Sequence, residues 1–137
     1  MSDAKAGLHM VASVFEQEVI DGKTYWFPRS TPTPTGKSPT AHLLAGFDEY
    51  MLGYKDRSPA LAPKHAQKIC PGSNGMFIPT VVIDGQVAGT WKRTLKKTSV
   101  AIAASPFASF GKGEKRAIAI AAERYGQFVG RKVSSIG

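Results

Sequence analysis

Few residues of this 137-residue chain have the types and spacing that catalysis requires. Asp48 and Glu49 form an adjacent pair of carboxylates, which could serve general acid–base chemistry. On a helix, however, neighbouring side chains point about 100° apart, so the two carboxylates cannot face one substrate atom together. Negative charge at this position instead favours the start of a helix, where it meets the positive end of the dipole. We therefore expect a structural role for the pair.

The single cysteine and the three histidines indicate neither a nucleophile nor a metal site. Cys70 follows His65 by five residues, and no acidic residue is evident that could orient the imidazole. One cysteine cannot form an internal disulfide or a cysteine-based zinc site, and three well-separated histidines do not replace it. The glycine-containing segments 36–38 and 72–75 lack the spacing of a phosphate-binding loop. The sequence predicts no catalytic residue, no metal and no cofactor.

The strongest binding signal is a group of basic residues with a tryptophan among them. Trp91-Lys92-Arg93 is followed closely by Lys96-Lys97. Cations beside an aromatic ring suit phosphate contact combined with stacking or groove insertion. Strand alternation would point Trp91 and Arg93 to one side and Lys92 to the other. The sequence leaves two roles open for Trp91, since it could equally be a core residue with Arg93 packed beside it.

Further cations lie in two other segments. Arg57 could clamp a phosphate with its planar guanidinium, or it could pair with neighbours at a solvated helix end. The last predicted helix has a basic face that could contact nucleic acid or simply face solvent, and it consists of Lys112, Lys115, Arg116 and Arg124. The candidate nucleic-acid-binding residues are Arg57, Trp91, Lys92, Arg93, Lys96, Lys97, Lys112, Lys115 and Arg116.

Charge is distributed unevenly along the chain. Residues 1–83 carry eight Lys/Arg and seven Asp/Glu, a balance of +1, whereas residues 84–137 carry ten Lys/Arg and three Asp/Glu, a balance of +7. The basic part suits phosphates or another acidic surface, or it only adds solubility. Hydrophobic content of 42% and charged content of 20% are typical of a globular domain. The chain has neither a membrane-spanning apolar run nor a signal-peptide pattern, so we expect a reducing, cytoplasmic setting.

Apolar periodicity predicts an α+β chain in three segments. Helical spacing near the amino terminus precedes two β-prone runs around Asp21-Gly22, which predicts a helix and a hairpin. A winged-helix unit ends in this way, and the same motif is also common in other folds. We assign residues 1–28 to the end of a winged-helix unit. Residues 29–40 contain three prolines and predict a semi-extended linker.

Residues 41–137 predict a β-rich domain that is closed by a helix. The predicted strands span residues 42–44, 77–83, 86–93 and 99–104, and the predicted helices span residues 47–54, 63–69 and 113–129. The hairpin with Asp84-Gly85 at its turn is the strongest local signal, because both turn positions need positive φ. We expect an antiparallel, barrel-like β-meander with packed helices.

Two long segments resemble a known family. Residues 43–58 are LLAGFDEYMLGYKDRS, and residues 74–93 are NGMFIPTVVIDGQVAGTWKR. Both are similar to the carboxy-terminal region of bacterial winged-helix DNA-binding proteins related to the AlkZ-type crosslink-repair DNA glycosylases. The resemblance implies a larger protein of tandem winged-helix units with a β-rich terminal domain, of which one hairpin approaches DNA. The matching candidate here is the Asp84-Gly85 hairpin with its Trp91-Lys92-Arg93 end.

The resemblance also bears on catalysis, because the related glycosylases carry a Gln-x-Gln pair in their amino-terminal half. The glutamines here are Gln17, Gln67, Gln86 and Gln127, and no two are separated by one residue. We therefore predict a non-catalytic DNA-binding module that contacts the phosphates of double-stranded DNA without sequence preference. The alternative is a structural or protein-interaction domain whose basic face meets an acidic protein partner.

Overall fold

The computed structural model describes residues 2–30, 36 and 38–137. The chain divides between residues 35 and 36 into two compact units. None of the helices in these described ranges is long and apolar enough to cross a membrane.

The first unit is a short helix followed by a two-stranded hairpin. Its elements are helix α1 (Ser2–Met10), a 3₁₀ turn (Ala12–Val14), strand β1 (Phe15–Ile20) and strand β2 (Lys23–Pro28). The strands pair antiparallel around Asp21 and Gly22, whose φ angles are 49° and 73°. A two-residue turn between twisted strands favours positive φ at both positions. The predicted helix and hairpin are present, while their assignment to a winged-helix unit stays a prediction.

The first unit has no buried core among the side chains that the structure describes. Every described side chain between residues 3 and 30 is exposed or half-buried. Met10, Val14 and Val19 are exposed although they are apolar. One helix and one hairpin bury too little apolar surface to be stable alone.

The second unit is a curled five-stranded sheet with three helices. Its strands are β3 (Ala41–Leu44), β4 (Thr80–Ile83), β5 (Gln86–Leu95), β6 (Ser99–Pro106) and β7 (Lys132–Ile136), and its helices are α2 (Glu49–Leu52), α3 (Ala66–Ile69) and α4 (Lys112–Phe128). Two 3₁₀ turns cover Pro63–His65 and Pro71–Ser73. The sheet order is β3-β4-β5-β6-β7.

The α+β class is confirmed, and the sheet extends further than the sequence predicted. The three pairings among strands β3, β4, β5 and β6 are antiparallel, as expected for a meander. Strand β7 was not predicted, and it pairs parallel to β6. A parallel pair needs a long crossover, and α4 occupies that connection.

Helix α2 is shorter than the predicted helix over residues 47–54. Phe47 has a φ of 63°, which lies outside the helical range. Asp48 caps the helix, because its Oδ1 accepts a hydrogen bond from the Tyr50 amide at 2.9 Å. Asp48 and Glu49 therefore stand at the start of the helix, as the sequence indicated.

The sheet has an apolar cluster on each face. Neighbouring residues of a strand point to opposite faces, so Val81 and Val82 of β4 belong to different clusters. The cluster that faces α4 comprises Ala41, Val81, Ile83, Trp91, Val100, Ile102, Ala117, Ile118, Ala121 and Ala122. The opposite cluster comprises Met51, Leu61, Ile69, Val82 and Val87.

An irregularity in β5 decides which of its side chains face α4. Val82 pairs with Val87 and Val81 pairs with Gly89, which leaves Ala88 as an extra residue. One inserted residue reverses the alternation of a strand. Val87 consequently lies in the cluster away from α4, whereas Trp91 lies in the cluster that α4 covers.

Candidate nucleic-acid interface

Trp91 lies in the core of the second unit. Its side chain is 5% exposed, and its ring packs edge-on against Tyr125 with 5.1 Å between the centroids. Its Nε1 donates a hydrogen bond to the carbonyl oxygen of Leu44 at 2.7 Å, the kind of partner that a buried indole requires. Of the two roles that the sequence left open, burial supports the packing role. Trp91 is therefore a core residue and not part of the candidate interface.

Lys92 and Arg93 lie on opposite sides of β5. Arg93 donates a hydrogen bond to the Tyr125 hydroxyl, and its guanidinium carbon lies 5.7 Å from the Tyr125 ring centroid. Lys92 is exposed and pairs across the sheet with Ala103. Arg93 thus shares the α4 side with Trp91, and Lys92 faces the other way, as strand alternation predicted.

The exposed cations belong to the β5–β6 hairpin and not to the hairpin at Asp84-Gly85. Pairing between β4 and β5 ends at Thr90, whereas β5 continues along β6 to Leu95. Lys96-Lys97 then occupies the turn into β6, at the opposite end of β5 from Asp84-Gly85. Because β5 is long enough to form two hairpins, the Asp84-Gly85 hairpin does not include the Lys96-Lys97 pair, and whether it faces DNA stays a prediction.

The structure adds two cations to the turn between β5 and β6. The guanidinium of Arg131 donates hydrogen bonds to the backbone carbonyl oxygens of Lys96 and Lys97. The next residue, Lys132, opens β7, and its amide donates to the carbonyl oxygen of Thr98 at 3.4 Å. We call Lys96, Lys97, Arg131 and Lys132 the hairpin-tip cluster. Arg131 and Lys132 were not among the candidates from the sequence, because the pairing of β7 with β6 joins distant parts of the chain.

The Asp84-Gly85 turn is held by neighbouring segments. Asp84 accepts hydrogen bonds from the Ser38 hydroxyl at 2.5 Å and from the Thr40 amide at 2.8 Å. The Tyr50 hydroxyl donates to the Gly85 carbonyl oxygen at 2.5 Å. The hydrogen bonds from Ser38 and then Thr40 hold the pKa of Asp84 below its usual range. A restrained turn with a negative charge is a poor place for phosphate contact.

The cations of the last helix form a separate group. Lys112, Lys115 and Arg116 are exposed in the first two turns of α4, and we call them the helix-start cluster. Helix α4 has 17 residues, and at about 1.5 Å per residue it is roughly 25 Å long. The helix-start cluster is therefore far from Arg131, which follows the other end of α4. Arg124, between them, donates a hydrogen bond to the Ala41 carbonyl oxygen at 3.2 Å.

Arg57 lies on a different side of the sheet from α4. Its Nε donates a hydrogen bond to the Met51 carbonyl oxygen, and its guanidinium carbon lies 4.8 Å from the Phe77 ring centroid. Both partners belong to the cluster away from α4 or pack against it. These contacts support the alternative in which Arg57 pairs with its neighbours. Its role as a phosphate clamp stays a prediction.

A cleft of about 430 Å³ opens beside the end of α4, and we call it the Phe128 cleft. Its walls include Arg93 from β5, Tyr125 and Phe128 from α4, and the chain at 43–46, with Asp48 also in the lining. Phe128 is 87% exposed, although its side chain is a large apolar ring. The cleft therefore combines an open aromatic ring with a guanidinium.

His65 has a packing environment and not a catalytic one. Its ring stacks on Phe107 with 4.4 Å between the centroids, and its Nδ1 is buried without a hydrogen-bond partner. Burial lowers the pKa of His65, and the positive charges of Lys68 and Lys64 lower it further. In the part of the chain that the structure describes, no three His, Cys, Asp or Glu side chains come together to hold a metal.

Comparisons with known proteins point to one family. The family model described as DNA glycosylase AlkZ-like matches residues 1–128. Among solved structures, the chain is similar to Streptomyces sahachiroi DNA glycosylase AlkZ, with a TM-score of 0.68 and 20% sequence identity. That match covers 95% of this chain and 35% of the other, so the chain spans about a third of that structure's length. At this identity the likeness shows the fold alone. No curated protein matches the chain.

Proposed function

The chain belongs to the AlkZ-like DNA glycosylase family, and from that premise we propose that it is a DNA-binding module without a catalytic centre of its own. It would form the carboxy-terminal part of a glycosylase-like protein. The observation that carries the proposal is the hairpin-tip cluster, in which four cations from two separate segments meet at one turn.

Two of the three acidic residues of the basic part of the chain are engaged elsewhere, and the third, Glu123, is exposed on α4. Asp84 accepts hydrogen bonds from Ser38 and Thr40 at the far end of β5. Glu114 accepts a hydrogen bond from the Gly111 amide at 2.6 Å, where it caps α4. The four cations of the hairpin-tip cluster therefore outnumber the one remaining carboxylate of this part of the chain, and their positive charge attracts phosphates and displaces the counterions that surround DNA.

The hairpin tip is also held in one conformation. Arg131 fixes the carbonyl oxygens of Lys96 and Lys97, so the turn itself has little backbone freedom to lose on binding. A prearranged binding element loses less entropy than a flexible one. Lys96, Lys97 and Lys132 remain exposed and can reach phosphates. Lysine contacts of this kind carry no base information, so binding would be independent of sequence.

The two basic clusters make different contributions to this proposal. A duplex that touches the hairpin tip reaches the helix-start cluster only if it runs along α4, over about seven base pairs at roughly 3.4 Å each. The hairpin-tip cluster would make the main contact with DNA. Variants of the helix-start cluster, which remove the same charge, serve as the control. Titration of a labelled duplex at several salt concentrations tests the assignment.

The first unit fits the proposal that residues 1–28 end a winged-helix unit. Its described side chains form no buried core, and Met10, Val14 and Val19 expose apolar surface. Such surface would be covered if further helices of a larger protein packed against it.

A further inference from the structure

We propose that the Phe128 cleft holds an unpaired nucleobase of the bound DNA. This inference rests on the proposed function, and it adds a second kind of contact to the phosphate contacts at the hairpin tip. The ligand class is the flat heterocycle of a nucleotide that has no partner in the opposite strand.

The exposure of Phe128 is the first observation. Phe128 is the last residue of α4, it lines the cleft, and it is 87% exposed. A large ring at the mouth of a cleft offers one open face for stacking. Each base has a π-face of its own, so stacking on an aromatic side chain binds bases without regard to sequence.

The second observation is a guanidinium held in place across the same cleft. Arg93 donates to the Tyr125 hydroxyl and lies over the Tyr125 ring, so its orientation is set before any ligand arrives. A guanidinium plane can stack on a base or donate hydrogen bonds to its acceptors. Tyr125 is in turn packed against buried Trp91, which makes this wall of the cleft rigid.

Asp48 gives the cleft an acceptor for the amino groups of a base. Asp48 is among the residues that line the cleft, and its Oδ1 is oriented by the hydrogen bond from the Tyr50 amide. The cleft thus presents an aromatic face, a donor and an acceptor, which are the groups that protein sites use to hold an unstacked base.

Charge favours a nucleotide over an uncharged ring compound. Arg131 follows Phe128 by three residues, and its guanidinium lies at the carbonyl oxygens of Lys96 and Lys97. On the other wall, Lys96 follows Arg93 by three residues, which is roughly 10 Å at about 3.3 Å per strand residue. The phosphate of a base in the cleft would thus be attracted by the cations that follow both walls. A paired base could not enter, because its faces are stacked and its edge is hydrogen-bonded within the duplex.

The experiment compares two labelled DNA duplexes that differ by one unpaired 2-aminopurine in the middle. We expect the chain to bind the bulged duplex more tightly than the fully paired one, by roughly 5- to 100-fold. We also expect 2-aminopurine fluorescence to change on binding, because stacking alters its emission. Phe128→Ala should abolish the preference while the affinity for the paired duplex and the melting temperature stay as in the parent chain. Phe128→Tyr keeps the ring and should keep the preference.

The matched control is Tyr54→Ala, since Tyr54 is 77% exposed and does not line the cleft. It should leave both affinities unchanged. Equal affinity for the two duplexes, or a preference that survives Phe128→Ala, would overturn the inference and leave the proposed function standing. Failure to bind either duplex would overturn both.

Discussion

Arg131, the residue before β7, donates hydrogen bonds to the backbone carbonyl oxygen of Lys96 in the turn between β5 and β6. The same guanidinium also reaches the carbonyl oxygen of Lys97. One side chain thereby fastens the β5–β6 turn to the segment that follows α4. The proposed interface depends on this contact, because it brings cations from two distant segments together.

We expect Arg131→Gln to loosen the hairpin tip. Hydrogen bonds from a charged donor contribute about 1.5–3 kcal/mol each, so the free energy of unfolding should fall by about 1–2 kcal/mol at this partly exposed site. The amide of Lys96, which donates to the Ser99 carbonyl oxygen at 2.8 Å, should exchange its hydrogen faster. Lys132→Gln removes the same charge from the next residue and should change neither quantity. Unaltered exchange at Lys96 in the Arg131 variant would show that the contact does not hold the turn.

We expect Trp91→Ala to damage the fold, with a loss of about 3–5 kcal/mol in the free energy of unfolding. Trp91→Phe keeps a ring but removes the hydrogen bond to Leu44, and it should cost about 1–3 kcal/mol. Chemical denaturation measures both values. Tyr54→Ala, at an exposed ring, should cost little. A loss below about 1 kcal/mol for Trp91→Ala would contradict the core position of this side chain.

Local signals predicted much of the second unit, and distant pairings decided the rest. The turn at Asp84-Gly85 follows from two adjacent residues that accept positive φ. Strand β7 could not be found in the same way, because its pairing partner β6 lies on the other side of α4. The candidate binding residues show the same difference between local signals and distant pairings. Lys96 and Lys97 stood out by composition, whereas Arg131 joined them only through the fold.

The role of Trp91 shows why one residue could not be assigned from sequence alone. Its hydrogen-bond acceptor, Leu44, lies in β3, and its ring partner, Tyr125, lies in α4. The extra residue Ala88 also reverses the alternation of side chains along β5. Strict alternation from Val87 would therefore place Trp91 on the wrong face of the sheet. Both facts depend on contacts between segments that are far apart in the chain.

We expect Asp84→Asn to lower the free energy of unfolding at neutral pH. The difference between parent and variant should become smaller as the pH falls. The hydrogen bonds from Ser38 and Thr40 lower the folded-state pKa of Asp84 below its ordinary value of 3.8. Such a group contributes stability above pH 3.8 and loses it as the pH falls through the folded-state pKa. Denaturation of parent and variant across pH 2–7 should show the two curves converging below about pH 4. Ser38→Ala removes the largest cause of the shift and should reproduce part of the effect. A difference that stays constant over the range would contradict this prediction.

We expect the chain to release no base from alkylated or crosslinked DNA. Its four glutamines include no Gln-x-Gln pair, which is the motif that the family resemblance implies for a catalytic relative. Incubation with alkylated duplex, followed by chromatography of the free bases, measures the activity. Base release that survives repurification and disappears when a residue of this chain is changed would overturn the non-catalytic assignment.

The central claim, that the hairpin-tip cluster binds DNA phosphates, is tested by the salt dependence of binding. Two variants remove the same charge from different clusters. The hairpin-tip variant changes Lys96, Lys97 and Lys132 to Gln, and the helix-start variant changes Lys112, Lys115 and Arg116 to Gln. All six side chains are exposed, so both variants should keep the melting temperature of the parent chain.

The deciding measurement is fluorescence anisotropy of a labelled paired duplex, titrated with each chain at several salt concentrations. For the parent chain we expect a plot of log affinity against log salt with a slope of roughly −3 to −4, from about 3–5 neutralised phosphates. The hairpin-tip variant should bind more weakly, with a slope that is flatter by about 0.9 for each lost contact. The helix-start variant should lose much less. Parent-like affinity and slope in the hairpin-tip variant, or no binding by the parent chain at low salt, would contradict the claim.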